Sequence, residues 1–367
     1  MGRDEVQSKA LDIVNQHHRC GLAISMGVGK TRIALQHMMQ NFNQFSKFLV
    51  VAPKKTIMNA WRDECEKMNA THLLDHIKFT TYLSLRKQNP NEYDIVYLDE
   101  CHSLLYSHKD FLDRYSGRIL GLTGTPPVYG EKELLVNEFC PIVYNFKVDD
   151  ATDNNILNDY RIIVHMLPLS NSRNIPKKKR DGGMWYTSEV KDYEYHTGNV
   201  DDAPTMRAKQ LASIMRMKAL QTYVSKEKYT KQLMSIIKDK CIIFANTQKQ
   251  ADKMCDYSYH SKNKNSDNNL ELFSNGTIDK LSCVLQLSEG VSIPGLRSGI
   301  IMHAYGNERK SAQRIGRLLR LNPNETAMCH ILCYKNTIDE QWVKRALTDF
   351  SEDKIKYFEP TKQQLNG

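Results

Sequence analysis

Ser25-Met26-Gly27-Val28-Gly29-Lys30-Thr31 lies between a short apolar run, Gly21–Ser25, and a helical pattern over Thr31–Gln40. A strand, a glycine-rich loop and a helix in this order point to an open α/β sheet with a phosphate-binding turn. Its glycines let backbone N–H groups close on phosphate oxygens, and the start of a helix adds partial positive charge at the same point. In that geometry Lys30 reaches the β- and γ-phosphates of a nucleotide, and Thr31 offers its hydroxyl to Mg2+. Ile24 stands where this loop type usually carries its first glycine. Taken alone, the run also reads as a plain glycine-rich turn joining strand to helix.

Working outward, Ile95-Val96-Tyr97-Leu98-Asp99-Glu100-Cys101-His102 is an apolar strand that ends in two carboxylates. Strand ends of this kind sit at the carboxyl edge of an open α/β sheet, where ligands bind. There Asp99 is placed to hold Mg2+, and Glu100 to orient an attacking water. Further apolar runs at Phe48–Ala52, Ile77–Thr81 and Arg118–Leu122 leave room for crossover helices such as Lys55–Met68. Runs without polar alternation, separated by helices, argue for a parallel sheet covered on both faces. The pattern restarts at Cys241–Ala245 and continues through Leu270–Phe273, Ser282–Leu287, Gly299–His303 and Ala327–Leu332. The chain is therefore expected to be α/β with two domains, 1–150 and 151–367. Residues 169–205 carry prolines, Gly182-Gly183 and the basic run Lys177-Lys178-Lys179-Arg180, and read as an insertion, a loop or a β-hairpin. Residues 206–238 read as helical, with Leu211, Ile214, Met215, Leu220 and Tyr223 on one side.

Composition sets limits. Hydrophobic residues at 41% and charged residues at 25% describe a globular chain long enough for two cores. No apolar run reaches the roughly 18 residues of a membrane span, and Met1–Leu11 lacks the apolar centre of a signal peptide. The nine cysteines lack metal-type spacing, and Cys329 and Cys333 fall in an apolar run that reads as a strand. Free thiols suit a reducing, cytoplasmic compartment. A net charge of +9 favours a polyanionic partner without establishing one.

The motifs together carry a resemblance. Asp99-Glu100-Cys101-His102 resembles the DExH box of superfamily 2 helicases and translocases, and the family's other motifs follow in order. Val50-Val51-Ala52-Pro53-Lys54-Lys55 with Trp61 resembles motif Ia, Thr80-Thr81-Tyr82-Leu83-Ser84-Leu85 motif Ib, and Leu122-Thr123-Gly124-Thr125-Pro126 motif III. Ile242–Thr247 resembles motif IV, Ser288–Gly295 motif V, and Gln313-Arg314-Ile315-Gly316-Arg317-Leu318-Leu319-Arg320 motif VI. Motif V carries Ser292 where aspartate is commoner, a variant similar to phage-type members.

What the resemblance implies is a pair of RecA-like domains with an ATP cleft between them, hydrolysing ATP with Mg2+. Met26, Gly27, Val28, Gly29, Lys30, Thr31 and Arg32 would line the nucleotide with Glu289 and Gly290, and Gln7 would recognise adenine. Thr31 and Asp99 would hold the metal. Lys30, Asp99, Glu100 and Gln313 would act in catalysis with Arg317 and Arg320, whose spacing of three puts both guanidiniums on one helical face. His102, Thr123, Gly124 and Thr125 would couple hydrolysis to movement. Pro53, Lys54, Lys55, Thr80, Thr81, Thr247 and Gly290 would contact phosphates of the nucleic acid. Lys54, Lys55 and the Lys177–Arg180 run also read as solvated charge.

The expected function is an ATP-dependent helicase or translocase, with DNA ahead of RNA as its track. Protein partners in replication, recombination or repair and a monomeric state are expected, in a cytoplasmic setting of phage or bacterial type, or a host cell for a viral protein. A motor subunit of a larger DNA-processing assembly is the alternative, since no nuclease, wedge or zinc segment is recognisable. An RNA helicase is another, and a non-catalytic ATP switch a third.

Overall fold

The structure, a computed structural model, describes residues 1–179, 181–284, 293–304, 325–348 and 350–361. Among these, two compact units separate at Asp159 and Tyr160. In the first unit the elements run α1 (Arg3–Asn15), β1 (Arg19–Ile24), α2 (Lys30–Gln40), β2 (Phe48–Ala52), α3 (Lys55–Lys67), β3 (Ile77–Thr81) and β4 (Ile95–Asp99). They continue with α4 (Lys109–Arg114), β5 (Arg118–Thr123), α5 (Glu131–Phe139), β6 (Ile142–Phe146) and α6 (Val148–Asp153). The strands form a six-stranded sheet in the order β3-β2-β4-β5-β1-β6, and every pairing is parallel.

The apolar runs explain this sheet. Successive side chains of a strand point to opposite faces, so β2 sends Phe48, Val50 and Ala52 into one core and Leu49 and Val51 into another. The first core is closed by Val6, Ala10, Ile33, Leu35 and Trp61 from α1, α2 and α3. The second is closed by Phe111, Leu112, Leu135, Val136 and Phe139 from α4 and α5. A strand buried on both faces has no polar alternation to show. Residues 151–159, placed in the second domain from sequence, pack with the first instead. Ala151, Ile156 and Leu157 are buried in its core, and Arg3 donates to the Ile156 carbonyl at 3.3 Å.

The second unit holds β7 (Tyr160–Leu167), β8 (Ile175–Lys178), β9 (Met184–Thr187), α7 (Glu189–Asp201), α8 (Met206–Thr222), α9 (Val224–Ile236) and β10 (Cys241–Ala245). It goes on with α10 (Gln248–Met254), β11 (Ser258–Tyr259), α11 (Ser266–Ser274), β12 (Lys280–Val284), β13 (Ser298–Ile301), β14 (Ala327–Tyr334), α12 (Ile338–Ala346) and β15 (Ile355–Phe358). A seven-stranded parallel sheet runs β11-β12-β10-β13-β14-β7-β15, and β8 and β9 form a separate antiparallel ribbon.

Several expectations change here. Leu270–Phe273, expected as a strand, lies in α11, where Asn269 and Phe273 are buried one turn apart. The apolar run Tyr160–Leu167 is instead a strand, paired along its whole length with β14. The 169–205 segment contains the β8–β9 ribbon and also α7. The helical stretch 206–238 is broken at Tyr223, whose ψ of 134° is extended. Of the residues grouped on one side of that stretch, Leu211, Ile214 and Met215 are exposed, whereas Leu220 and Tyr223 are buried. Cys329 and Cys333 are buried in β14, and burial pushes both thiols well above the usual range.

Candidate active site

Three neighbouring strands of the first sheet, β4, β5 and β1, bring the expected nucleotide-binding residues to one edge. After β1 the chain turns through Gly27 and Gly29, whose φ values of 91° and 108° suit glycine alone. Gly29 is the N-cap of α2, so the first N–H groups of that helix face the loop without a side-chain cap. Lys30 Nζ donates to the Ile24 carbonyl at 3.1 Å, folding back over the loop. Gly124, just beyond β5, lies so near that a Cβ there would sit 3.5 Å from Lys30 Nζ and from Met26 Cγ. Arg32 is exposed and faces Glu64 at 3.8 Å rather than the loop.

Gln7 is buried under this loop. Its Nε2 donates to the Val28 carbonyl at 2.7 Å, and a Cβ on Gly29 would meet the same nitrogen at 2.5 Å. The amide expected to read adenine thus braces the loop through its side-chain nitrogen. Nothing in the residue pattern around Gln7 signalled that contact, which depends on α1 crossing beneath the loop.

Asp99 closes β4 and is buried. Trp61 Nε1 donates to its Oδ2 at 2.7 Å, and Tyr82 hydroxyl donates to its carbonyl at 3.0 Å. Burial, then the charge of Glu100, raise its carboxyl to about 6, while the Trp61 hydrogen bond and Lys30 pull it down. Sequence placed Trp61 and Tyr82 in motifs without giving either a contact. Glu100 has a left-handed backbone, φ 51°, strained for a side chain of its size. Its Oε2 is buried and has no hydrogen-bond partner among the described residues, and lies 3.3 Å from His102 Nδ1.

His102 Nδ1 also meets Thr123 Oγ1 at 2.9 Å. The Thr123 hydroxyl donates to the Thr125 carbonyl and accepts from the Thr125 N–H, at 3.1 and 3.2 Å. A hydroxyl with its proton so committed accepts from the imidazole, which places a proton on Nδ1. The four residues expected to couple hydrolysis to movement are thereby brought beside Glu100 and Lys30.

The expected nucleic-acid residues of this unit continue the same edge. Pro53, Lys54 and Lys55 follow β2, with Lys54 as the N-cap of α3, and Thr80 and Thr81 end β3. Lys54 and Lys55 are exposed, whereas Thr80 is buried. In the second unit Thr247 is the N-cap of α10, its hydroxyl accepting from the Gln250 N–H at 3.1 Å. Glu289, Gly290, Gln313, Arg317 and Arg320 lie outside the described residues, as does Arg180.

Comparison with known proteins agrees with this geometry. Residues 3–128 match the family "Type III restriction enzyme, res subunit", and residues 225–322 match "Helicase conserved C-terminal domain". A relative named DNA 3'-5' translocase XPB2, from Sulfurisphaera tokodaii, is 24% identical over 377 residues, covering 93% of this chain and 83% of that protein. Among solved structures, the ATP-dependent Type ISP restriction-modification enzyme LlaBIII bound to DNA aligns with a TM-score of 0.64 at 13% identity. That alignment takes in 99% of this chain but only 31% of LlaBIII. A fragment of a putative HsdR subunit of a type I restriction enzyme from Vibrio vulnificus YJ016 aligns with a TM-score of 0.62 at 17% identity, over 97% of this chain and 67% of that one. These two likenesses speak to the fold, two parallel sheets covered by helices of RecA-like type. With both domain families matched in order, the chain belongs to the superfamily 2 helicases and translocases, ATP-hydrolysing enzymes.

Proposed function

We propose that the chain is an ATP-driven translocase that moves along DNA, with its chemistry at the β4–β5–β1 edge of the first unit. The observation that carries this reading is the Glu100 carboxylate. It stands next to the metal-type carboxylate Asp99, has one buried oxygen without a hydrogen-bond donor among the described residues, and adjoins the His102–Thr123–Thr125 chain. A general base needs an open acceptor in reach of its water.

The residues present fit the expected groups. The loop N–H groups and Lys30 would hold the phosphates of ATP, and Thr31 with Asp99 would hold Mg2+. No cluster of His, Cys, Asp and Glu able to hold a metal by itself occurs among the described residues. Mg2+ is usually held by one or two carboxylates plus phosphates and waters, and Asp99 with Thr31 would be the protein's share. The metal would supply charge neutralisation on the phosphates. Glu100 orients the attacking water and takes its proton. His102 passes any displacement of Glu100 to Thr123 and so to the loop after β5. Gln313, Arg317 and Arg320 complete the charge stabilisation in this reading, and Pro53, Lys54, Lys55, Thr80, Thr81, Thr247 and Gly290 grip the phosphate backbone.

DNA is favoured by the positive charge of +9 and by the names of the relatives, a DNA translocase and a restriction enzyme bound to DNA. A second reading, a motor that moves DNA for a larger restriction-type assembly, is supported by the res-subunit match and by a neighbour of which this chain spans only 31%. We propose a cytoplasmic setting of phage or bacterial type, or a host cell for a viral protein. Among the described residues no helix is long and apolar enough to cross a membrane. Steady-state ATP hydrolysis with single-stranded DNA, duplex, forked DNA and RNA tests the proposal. Stimulation by DNA above RNA is the expected result, and no stimulation by any polymer would sink the motor reading. Hydrolysis without strand separation would select the assembly reading.

A further inference from the structure

The β8–β9 ribbon stands apart from the nucleotide chemistry, and each of its two faces carries a basic and an aromatic residue. Register sets Ile175 opposite Thr187, Pro176 opposite Tyr186, Lys177 opposite Trp185 and Lys178 opposite Met184. Opposed residues share a face and successive ones alternate. Ile175, Lys177, Trp185 and Thr187 thus form one face, and Pro176, Lys178, Met184 and Tyr186 the other.

The first face is anchored. Thr187 is buried, Ile175 packs on the core of the second unit, and Lys177 Nζ lies 2.5 Å from Oδ1 of the buried Asp192. Asp192 is held in turn by the Tyr223 hydroxyl at 3.2 Å. A two-stranded ribbon alone is marginal in water, so these contacts to α7 and the core keep it in place. At its end the Lys179 N–H donates to the Gly183 carbonyl, and Gly182, at φ 86°, makes the reversal possible.

The second face is open. Tyr186 is 57% exposed and Met184 50%, with Trp185 on the anchored side still 46% exposed. Lys178 and Lys179 are exposed and make no ion pair among the described residues, and the basic run continues in sequence to Arg180. An anchored ribbon that leaves aromatic rings in water is poor packing for its own sake. Aromatic faces beside unneutralised cations match a strand whose bases are free to stack and whose backbone is anionic.

We propose that the open face of this ribbon is a stacking platform for single-stranded nucleic acid, with Tyr186 taking a base and Lys178 and Lys179 taking phosphates. It rests on the reading of the chain as a nucleic-acid motor and adds a grip that none of the family motifs contains.

The test is anisotropy of labelled oligo-deoxythymidine, and of a duplex, on the full chain and on Tyr186→Ala, Trp185→Ala, Lys178→Glu and the conservative Tyr186→Phe. Tyr186→Ala should weaken single-strand binding by roughly five- to a hundredfold, the range for losing one stacked base, and Trp185→Ala, on the anchored face, should change it far less. Tyr186→Phe should retain wild-type affinity, and duplex binding should hardly move. Lys178→Glu should flatten the salt dependence by about one unit of slope. Hydrolysis in the absence of nucleic acid should be unchanged in all four, which also shows them folded. Wild-type affinity in Tyr186→Ala would overturn the platform while leaving the motor reading intact. A wild-type chain that binds no nucleic acid would overturn both. A wild-type dimer that Tyr186→Ala dissolves without loss of oligonucleotide affinity would make the face a self-interface and overturn the platform alone.

Discussion

The contact between Gln7 and Gly29 gives a double-mutant cycle with a definite sign. Gln7→Ala removes the donor that the Val28 carbonyl accepts from at 2.7 Å inside the core, which costs about 1–3 kcal/mol for an acceptor left unsatisfied. Gly29→Ala puts a side chain at φ 108°, where the backbone penalty alone is about 1–3 kcal/mol. Its Cβ would also come within 2.5 Å of Gln7 Nε2, so the amide must leave and the same hydrogen bond is lost a second way. In the double variant that loss is counted once, and the two effects should fall short of their sum by about 1–3 kcal/mol. Guanidinium unfolding of the first unit can be followed by Trp61 fluorescence in a background where Trp185 and Trp342 are replaced by Phe, since the chain has 3 tryptophans. Additivity within about 0.5 kcal/mol, with unchanged slopes, would refute the bracing contact. The cycle also separates two roles for Gln7. A brace predicts that Gln7→Ala weakens ATP and GTP in parallel, whereas an adenine reader predicts that ATP alone suffers.

Lys30→Ala and Glu100→Gln should each lower ATP turnover by about a hundredfold or more, since each removes a group that acts on the phosphates or the water; a Glu100→Gln enzyme at full rate would remove the base from the account. Trp61→Phe keeps most of the buried ring but deprives Asp99 of its donor, so half-maximal Mg2+ for hydrolysis should rise by roughly ten- to a hundredfold; an unchanged Mg2+ requirement would contradict the site geometry. Acid should weaken the second unit through His165 and His330, which touch at 3.0 Å and which burial lowers to about 3 and about 4. Both are neutral when folded and take up protons when unfolded, so their stability is complete above the ordinary value and is lost as pH falls below about 6.5. Between pH 7 and pH 5 the loss should be about 2 kcal/mol for each, read by circular dichroism melts, and a flat profile would refute it. Lys226→Met strands the buried Asp339 carboxylate now 2.5 Å from Lys226 Nζ, and should cost about 3–5 kcal/mol, more than the Lys226→Met/Asp339→Leu pair.

Much of the first unit was legible because strands buried on both faces leave continuous apolar runs, and Phe48–Ala52 and Ile95–Leu98 coincide with β2 and β4 almost to the residue. The loop at Lys30 and the pair Asp99-Glu100 were legible for a different reason, since phosphate chemistry restricts residue types at fixed spacing. Period alone failed at Leu270–Phe273, where a short apolar run is the same for a strand and for one face of a helix. It failed again at the end of the first unit, because Ala151, Ile156 and Leu157 carry no mark of which core they will join. The contacts of Gln7, Trp61 and Tyr82 are tertiary, made by elements far apart in sequence, and no local pattern encodes them. The one-sided grouping of Leu211, Ile214, Met215, Leu220 and Tyr223 carried no mark of depth, and only the last two are buried.

A triplex-displacement assay tests the central claim most directly, because it detects movement along duplex whether or not strands separate. A labelled third strand is placed at the far end of a DNA duplex, and its release is timed with ATP. Wild-type protein should release it at a rate that grows with ATP and after a lag that lengthens with the duplex to be crossed, and Glu100→Gln should leave it bound. DNA-stimulated hydrolysis with the third strand still in place from either direction would contradict translocation.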